Sequence, residues 1–207
     1  MKSNNRKDIV VFASGSGTNF MNIHRNVKHG IIKLLISNNS KCGAIIYAKK
    51  NSIPFKIIND FRYPLRDDKD KEYESTLGDI EPDLILLAGF MKKIPEKIVS
   101  LYRYKIMNIH PSLLPKFGGE GFYGIKVHEA VISSREKTTG ATVHFVNEYY
   151  DQGSIILQSI INVDKNDTVD SISKKVLEIE YRIYLKAVNL FCSNKIYINN
   201  NKVIIDE

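Results

Sequence analysis

The chain has 207 residues, a net charge of +7 and an apolar fraction of 43%. This length and composition suit one globular domain with a sizeable core, and no apolar run is long enough to span a bilayer. Asp8 to Ala13 is too short for the core of a signal peptide, so we expect a cytoplasmic protein with no membrane partner.

Two further function classes are disfavoured by composition. Cys42 and Cys192 lie far apart without a Cys-x-x-Cys spacing, which argues against a disulfide framework or a thiolate zinc site. No other ligand cluster is evident, so no metal is expected. The lysines are scattered rather than clustered, which argues against a nucleic-acid partner. A modest positive field would still help to collect phosphates or carboxylates.

The first half of the chain alternates short runs rich in Ile, Val and Leu with longer mixed segments. The predicted strands are Ile9–Phe12, Lys33–Ser37, Phe55–Ile58, Leu84–Ala88 and Ile106–Ile109. The predicted helices are Asn19–His29, Cys42–Asn51, Lys69–Ile80 and Pro95–Tyr102. Uniformly apolar strands suit a sheet covered on both faces, so this alternation predicts an α/β fold with a doubly wound, mostly parallel sheet.

The segment Ser14-Gly15-Ser16-Gly17-Thr18-Asn19 follows the first predicted strand and opens the first helix. Ligands bind at this edge of a doubly wound sheet, where small residues and a helix N-terminus favour a phosphate. The loop lacks the Lys-Ser/Thr ending of a Walker loop and the third glycine of a dinucleotide fingerprint. A monophosphate therefore fits better than ATP or NAD, although a simple tight turn explains the loop alone equally well.

Asn108 lies in the fifth predicted strand and His110 directly follows that strand, just before two prolines at 111 and 115. Residues i and i+2 of an extended segment point to the same face, so both side chains are expected to enter one cleft. An amide that donates to an oxyanion, beside a group that titrates near neutrality, suits acyl-type transfer. Taken alone, the pair is more often a buried polar pair that satisfies a loop.

The second half of the chain changes pattern. Thr139–Asn147 and Ser154–Val163 read as two long strands joined by a Glu148–Gly153 loop, and Asp167–Phe191 as a closing helix capped by Asp167 or Thr168. No linker or repeat is visible, so we expect a single domain over 1–207, with a core of about 8–191 and a short β segment at 196–205.

The remaining histidines are expected to have supporting positions. His144 lies in the middle of a predicted strand, which suggests a packed residue or one behind the site. His24, His29 and His128 fall on predicted helices and are expected to be surface or cap residues.

Taken together, several segments resemble phosphoribosylglycinamide formyltransferase, the folate-dependent enzyme of purine synthesis. The resemblance runs from about Ile9 to Leu190. The matching segments are Ser-Gly-Ser-Gly-Thr-Asn (14–19), Pro-Asp-Leu-Ile-Leu-Leu-Ala-Gly-Phe-Met (82–91), Asn-Ile-His-Pro-Ser-Leu-Leu-Pro-Lys (108–116), Val-His-Glu-Ala-Val (127–131), Thr-Gly-Ala-Thr-Val-His-Phe-Val (139–146) and Asp-Gln-Gly-Ser-Ile-Ile-Leu-Gln (151–158).

The resemblance implies a Rossmann-like formyltransferase fold and a set of binding residues. Those for the phosphate and body of glycinamide ribonucleotide are Gly17, Thr18, Asn19 and Glu180. Those for the folate are Met91, Lys92, Lys93, Ile94, Asn108 and the loop from Val146 to Asp151. The family's basic residue for the folate tail falls where this chain departs from the pattern; Arg66 is the first choice and Lys69 the second.

The reaction that the resemblance implies is formyl transfer from 10-formyltetrahydrofolate, without a metal. Asn108 would donate to the oxyanion, His110 would act as the acid, and Asp151 would support His110 and pass protons through a water. A carboxylate near His110 is expected to raise its pKa. The resemblance also suggests a cis bond between Leu114 and Pro115.

Three alternatives remain open at this stage. Methionyl-tRNA formyltransferase shares the Asn-x-His theme but continues with a different segment after the prolines and adds a C-terminal barrel, for which no residues are expected to remain. Formyltetrahydrofolate deformylase carries an N-terminal regulatory domain, whereas seven residues precede the first strand here. A folate or phosphoribosyl carrier without turnover would not need Asn108, His110 and Asp151 together. We expect small-molecule partners and a monomer or homodimer.

Overall fold

A computed structural model describes residues 6–206. The chain divides between Met107 and Asn108 into two compact units. Within the described residues, no helix has both the length and the apolar character needed to cross a membrane.

The first unit is built on four parallel strands in the order β3-β2-β1-β4. The strands are β1 (Lys7–Phe12), β2 (Gly30–Ser37), β3 (Phe55–Ile57) and β4 (Leu84–Leu87). The helices are α1 (Thr18–Asn26), α2 (Gly43–Lys50), α3 (Arg66–Ile80) and α4 (Glu96–Leu101).

The central strands of this unit are buried on both faces. Val10, Val11 and Phe12 in β1 have no exposed surface, and every residue of β4 is buried. This explains their unbroken apolar sequence. Because β1 and β4 are parallel neighbours, the loops that follow them start at the same edge of the sheet, which is the ligand-binding edge of such folds.

The second unit begins at Asn108, within β5 (Ile106–His110), and its strand order is β5-β6-β7. Its other elements are α5 (Ile125–Ser133), β6 (Thr138–Phe145), β7 (Ile155–Asn162), α6 (Val169–Cys192), β8 (Ile196–Asn199) and β9 (Lys202–Ile205). Strands β6 and β7 are antiparallel, and β8 and β9 form a separate hairpin. The predicted β segment at 196–205 is this hairpin.

Helix α6 begins with a reciprocal cap. Thr168 accepts a hydrogen bond from the Ser171 backbone N–H, and the Ser171 hydroxyl accepts one from the Thr168 N–H. This satisfies two backbone donors that the first turn would leave unpaired. One face of the helix carries apolar residues at helical spacing, of which Leu190 is half-buried and the others are buried: Ile172, Val176, Ile179, Ile183 and Ala187.

The predicted elements are all present, with boundaries shifted by a few residues. Helix α1 ends at Asn26, so His29 lies in the following loop rather than on a helix, although it is exposed as expected. His128 is 5% exposed within α5, so its assignment as a surface or cap residue was wrong. It lies beside Val127 on the buried side of a short helix, where periodicity is a weak guide.

Candidate active site

The end of β5 brings Asn108 and His110 into a cluster within the second unit. His110 is 4% exposed, and Asn108 is half-buried. The Asn108 Nδ2 lies 3.2 Å from His144 Nε2 and 3.5 Å from Asp151 Oδ1. The Nδ1 of His110 lies 3.5 Å from the other carboxylate oxygen of Asp151. The three residues predicted to act together are therefore neighbours, and His144 is a fourth member of the cluster.

Asp151 is held by backbone geometry as well as by side chains. Its φ of 56° is in the left-handed region, which is uncommon for a non-glycine residue. The Gly119 N–H donates to Asp151 Oδ2 at 2.9 Å. Burial alone would raise the pKa of Asp151, but its contacts with His144, with His110 and with the Gly119 N–H together bring it below its usual value. Asp151 is therefore a carboxylate near neutral pH.

His110 lies between a carbonyl group and this carboxylate. Its Nε2 is 2.8 Å from the Phe117 carbonyl oxygen, which can only accept, so Nε2 carries a proton. Asp151 and the Phe117 carbonyl favour the charged form, but desolvation by burial outweighs both and lowers the pKa of His110 below 6.5. The carboxylate raises the pKa of His110 as expected, but burial, which the expectation did not consider, makes the net change a decrease.

The tautomer of His144 follows from its backbone contact. His144 is 2% exposed, and its Nδ1 lies 2.8 Å from the Phe145 carbonyl oxygen, which can only accept, so Nδ1 carries a proton and donates. The Nε2 is then an acceptor for the Asn108 amide. One N–H of Asn108 is fixed by His144. The other N–H lies in the same amide plane and makes the longer contact, 3.5 Å, to Asp151 Oδ1.

The segment between β5 and α5 carries two of these contacts on its backbone. The Thr142 hydroxyl accepts from the Leu114 N–H at 3.1 Å, which fixes the start of the segment. The Leu114–Pro115 bond is cis, as the resemblance suggested. The segment then presents the Phe117 carbonyl to the imidazole and the Gly119 N–H to the carboxylate. Sequence reasoning missed both backbone groups, and no residue type marks them beyond the adjacent glycines.

A cavity of about 380 Å³ lies within the second unit beside Asp151. Its lining combines the cis-proline segment, the loop before β7 and the first residue of β7. The lining residues are Leu114, Pro115, Gly118, Gly119, Tyr150, Asp151, Gln152, Gly153 and Ile155. The carboxylate is thus at the wall of a space large enough for part of a small ligand.

In the first unit, the predicted phosphate-binding loop forms the turn between β1 and α1. Gly17 caps α1 with φ +77°, and a Cβ there would lie 2.7 Å from Ala44 in α2. Both the conformation and the close approach require glycine. Thr18 and Asn19 begin the helix, whose first turn has no acidic residue. The backbone N–H groups of this turn are thus suited to an anion.

The segment after β4 carries the residues assigned to folate. The side chain of Met91 is 52% exposed, and Lys92 and Lys93 are also exposed. Ile94 is buried, with 4% of its surface exposed. The exposed apolar surface is therefore supplied by Met91, with two cations beside it.

The candidates for the folate tail differ in their surroundings. Arg66 is the first residue of α3; its side chain is 82% exposed, and its Nε lies 3.7 Å from Asp70. Lys69 forms an ion pair with Asp60, and Lys92 lies 3.5 Å from the same carboxylate. These contacts group Lys69 with Lys92, while Arg66 lies in solvent.

The other predicted site residues lie in the second unit. Glu180 is half-buried on α6, and Val146 is half-buried immediately after β6. His128 on α5, which sequence reasoning placed outside the site, is close enough for the charge of His110 to lower its pKa further below the value set by burial. Among residues 6–206, no group of three His, Cys, Asp or Glu side chains is arranged to hold a metal ion.

Comparisons with known proteins identify the family of the chain. A family model described as formyl transferase matches residues 7–188. The chain is 31% identical over 204 residues to phosphoribosylglycinamide formyltransferase of Haemophilus influenzae, covering 97% of this chain and 94% of the relative. It is 41% identical over 200 residues to the chloroplastic enzyme of the same name from Vigna unguiculata, covering 92% of this chain but only 62% of that relative's length.

A solved structure confirms the predicted fold class. Glycinamide ribonucleotide transformylase 1 from Symbiobacterium toebii matches with a TM-score of 0.89 and 30% identity, covering 98% of this chain and 95% of that structure. The α/β fold with a mostly parallel sheet, read from the apolar runs, is thus the fold of these enzymes. The chain belongs to the phosphoribosylglycinamide formyltransferase family.

Proposed function

We propose that the protein transfers the formyl group of 10-formyltetrahydrofolate to the amine of 5'-phosphoribosylglycinamide. The products are formylglycinamide ribonucleotide and tetrahydrofolate, in the de novo synthesis of purines. The observation that carries this proposal is the cluster of Asn108, His110, Asp151 and His144, linked by contacts of 3.2 to 3.5 Å. Family membership supports the choice of both substrates.

The chemistry requires an amine to attack the formyl carbon and an oxyanion to form. The new C–N bond creates a tetrahedral intermediate, and the bond to the folate nitrogen then breaks. The N–H of Asn108 on the side of Asp151 is proposed to donate to the oxyanion, while His144 holds the amide in place. A fixed donor of this kind typically contributes on the order of 10²–10³ in rate.

The proton released by the amine must reach the departing folate nitrogen. His110 has a lowered pKa, so it is neutral near pH 7 and its Nδ1 has a lone pair on the side of Asp151. In the proposal, the Asp151–His110 pair takes the proton as the C–N bond forms, and the carboxylate stabilises the resulting imidazolium. His110 then serves as the acid for the leaving nitrogen.

The remaining residues are proposed to bind the substrates. Gly17, Thr18 and Asn19 would hold the ribonucleotide phosphate at the N-terminus of α1, and Glu180 would contact the same substrate. Met91 to Ile94 and Val146 would contact the folate. The tail carboxylates would be met by Arg66 or by Lys69. Because Arg66 is exposed, it is suited to contact the carboxylates of a long, flexible folate tail. Lys69, in contrast, is already paired with Asp60.

The setting of the reaction is also part of the proposal. Residues 1–207 would act as one formyltransferase domain, as a monomer or homodimer, in the cytoplasm, with small molecules as partners. Analytical ultracentrifugation and cell fractionation test the assembly and the location.

The direct test is an absorbance assay for the folate product, run with and without glycinamide ribonucleotide. The proposal predicts product only when both substrates are present, and a large loss of turnover in His110→Ala. His29→Ala is a matched control, because this histidine is exposed and lies in a loop of the first unit. Equal folate release without the ribonucleotide would instead identify a deformylase.

A further inference from the structure

Ser14, the first residue of the phosphate-binding loop, is bound to the turn after β4 at two points. Its backbone N–H donates to the Gly89 carbonyl at 3.1 Å. Its hydroxyl accepts from the Met91 N–H at 2.9 Å. The two bonds bracket Phe90 and hold the turn, in which Gly89 has a φ of +73°, against the loop.

The other polar atoms of Ser14 bind the segment after β2. Its hydroxyl donates to Asn38 Oδ1 at 2.6 Å, and its carbonyl accepts from Asn39 Nδ2 at 3.3 Å. The Asn38 carbonyl in turn accepts from Asn59 Nδ2 at 3.3 Å. Every hydrogen-bonding group of Ser14 thus has a partner, and the residue is only 8% exposed. A side chain whose donor and acceptor are both hydrogen-bonded has a defined orientation.

The segments that Ser14 joins are assigned to different substrates. On one side, the loop continues to Gly17, Thr18 and Asn19, proposed for the ribonucleotide phosphate. On the other side, Met91 begins the exposed segment proposed for the folate. Ser14 itself is assigned to neither ligand. It is the residue through which the backbone of one segment is hydrogen-bonded to the backbone of the other.

We propose that Ser14 is a positioning residue that couples the phosphate-binding loop to the Gly89–Met91 turn, so that ribonucleotide and folate strengthen each other's binding. This inference rests on the proposed function, because it takes the two ligands from it. A ligand that orders the loop also orders the turn through the Ser14 hydroxyl. Coupling between two ligands is reciprocal, so each affinity must change by the same factor.

The expected effect follows from the hydrogen bonds that alanine removes. Ser14→Ala leaves the Met91 N–H and the Asn38 carbonyl oxygen of the side chain without this partner, while the backbone bond to Gly89 persists. Leaving a buried polar group unsatisfied typically lowers the equilibrium constant for the arrangement that needs the hydrogen bond by roughly ten-fold. We therefore expect the coupling factor between the ligands to fall about ten-fold in the variant.

Calorimetric titration of the full chain measures that factor. Glycinamide ribonucleotide is titrated with and without saturating tetrahydrofolate, which has no formyl group to transfer, and the titration is repeated in the reverse order. If Ser14 were merely structural, Ser14→Ala would weaken the binding of each ligand alone. The ratio of the affinities measured with and without the second ligand would be unchanged. Ser40→Ala is the matched control, since this serine is exposed and next to the same segment.

The outcomes separate the inference from the proposed function. A coupling factor above one in the parent, retained in Ser40→Ala and lost in Ser14→Ala, supports the role of Ser14. An unchanged factor in Ser14→Ala, or a factor of one in the parent, overturns it. If the parent binds neither ligand, the proposed function itself fails. Should Ser14→Ala not fold, Ser14→Cys keeps the shape of the side chain but replaces the hydroxyl with a weakly hydrogen-bonding thiol, and must also reduce the coupling.

Discussion

Gly153 has no room for a side chain, and it lies two residues after the Asp151 carboxylate. A Cβ at this position would lie 1.7 Å from the Phe145 carbonyl oxygen and 2.7 Å from the carbonyl carbon. Both are backbone atoms, so neither can rotate away. Since Cβ atoms essentially never come closer than 3.0 Å to such atoms, Gly153→Ala must separate the two segments by 3.0 minus 1.7, or about 1.3 Å.

A displacement of that size is larger than the contacts of Asp151 can absorb. The hydrogen bond from the Gly119 N–H to Asp151 is 2.9 Å long, and the contacts of Asp151 with the two imidazole rings are already 3.5 Å long. Hydrogen bonds weaken steeply beyond this range. A misplacement of about 1 Å typically costs on the order of 10² in rate. We therefore expect Gly153→Ala to lower kcat about 100-fold and to destabilise the fold by about 1–3 kcal/mol, as overpacking does.

The assay compares single-turnover formyl transfer with thermal unfolding on the same samples, so that the rate refers to folded protein. Gly78→Ala is the matched control. Gly78 is exposed in α3, a Cβ there meets nothing within 4 Å, and alanine should stabilise the helix by roughly 0.5–1 kcal/mol without changing the rate. A folded Gly153→Ala variant with kcat within three-fold of the parent would refute the reasoning.

Three further predictions follow from the same contacts. Asn108→Ala should lower kcat on the order of 10²–10³ with little change in KM, which steady-state kinetics measures; a change confined to KM would contradict the oxyanion role. Asp151→Asn removes the charge that raises the pKa of His110, so an NMR titration of His110 should move to still lower pH; a move to higher pH would contradict the role of the Asp151 charge in raising this pKa. Thr168→Ala should cost about 1 kcal/mol of unfolding free energy, measured by denaturant titration, because it removes the acceptor for the Ser171 N–H; an unchanged midpoint would contradict the cap.

The fold could be predicted because its signals are local. Strands of the first unit such as β1 and β4 are buried on both faces, and a strand buried in this way has an unbroken run of apolar residues that the sequence shows directly. The face of α6 could be predicted for the same reason, from residues at helical spacing. Element ends were less accurate: α1 stops at Asn26, where no glycine or proline marks the boundary.

The candidate site could be predicted only in part. Asn108 and His110 share a face because of strand geometry, which sequence spacing shows. The contacts of His110 with the Phe117 carbonyl, and of Asp151 with the Gly119 N–H, depend on the path of the chain after the cis bond and on the left-handed φ of 54° at Phe117. Those are tertiary properties. The burial that lowers the pKa of His110 is a tertiary property too.

The central claim is that the formyl group moves from folate to the glycinamide nitrogen. Its most direct test supplies 10-formyltetrahydrofolate with a ¹³C-labelled formyl carbon, together with glycinamide ribonucleotide, and follows the label by NMR. The account predicts that the label appears as a formamide on the ribonucleotide, and that His110→Ala greatly slows its appearance. Label released as free formate, at the same rate with and without the ribonucleotide, would contradict it.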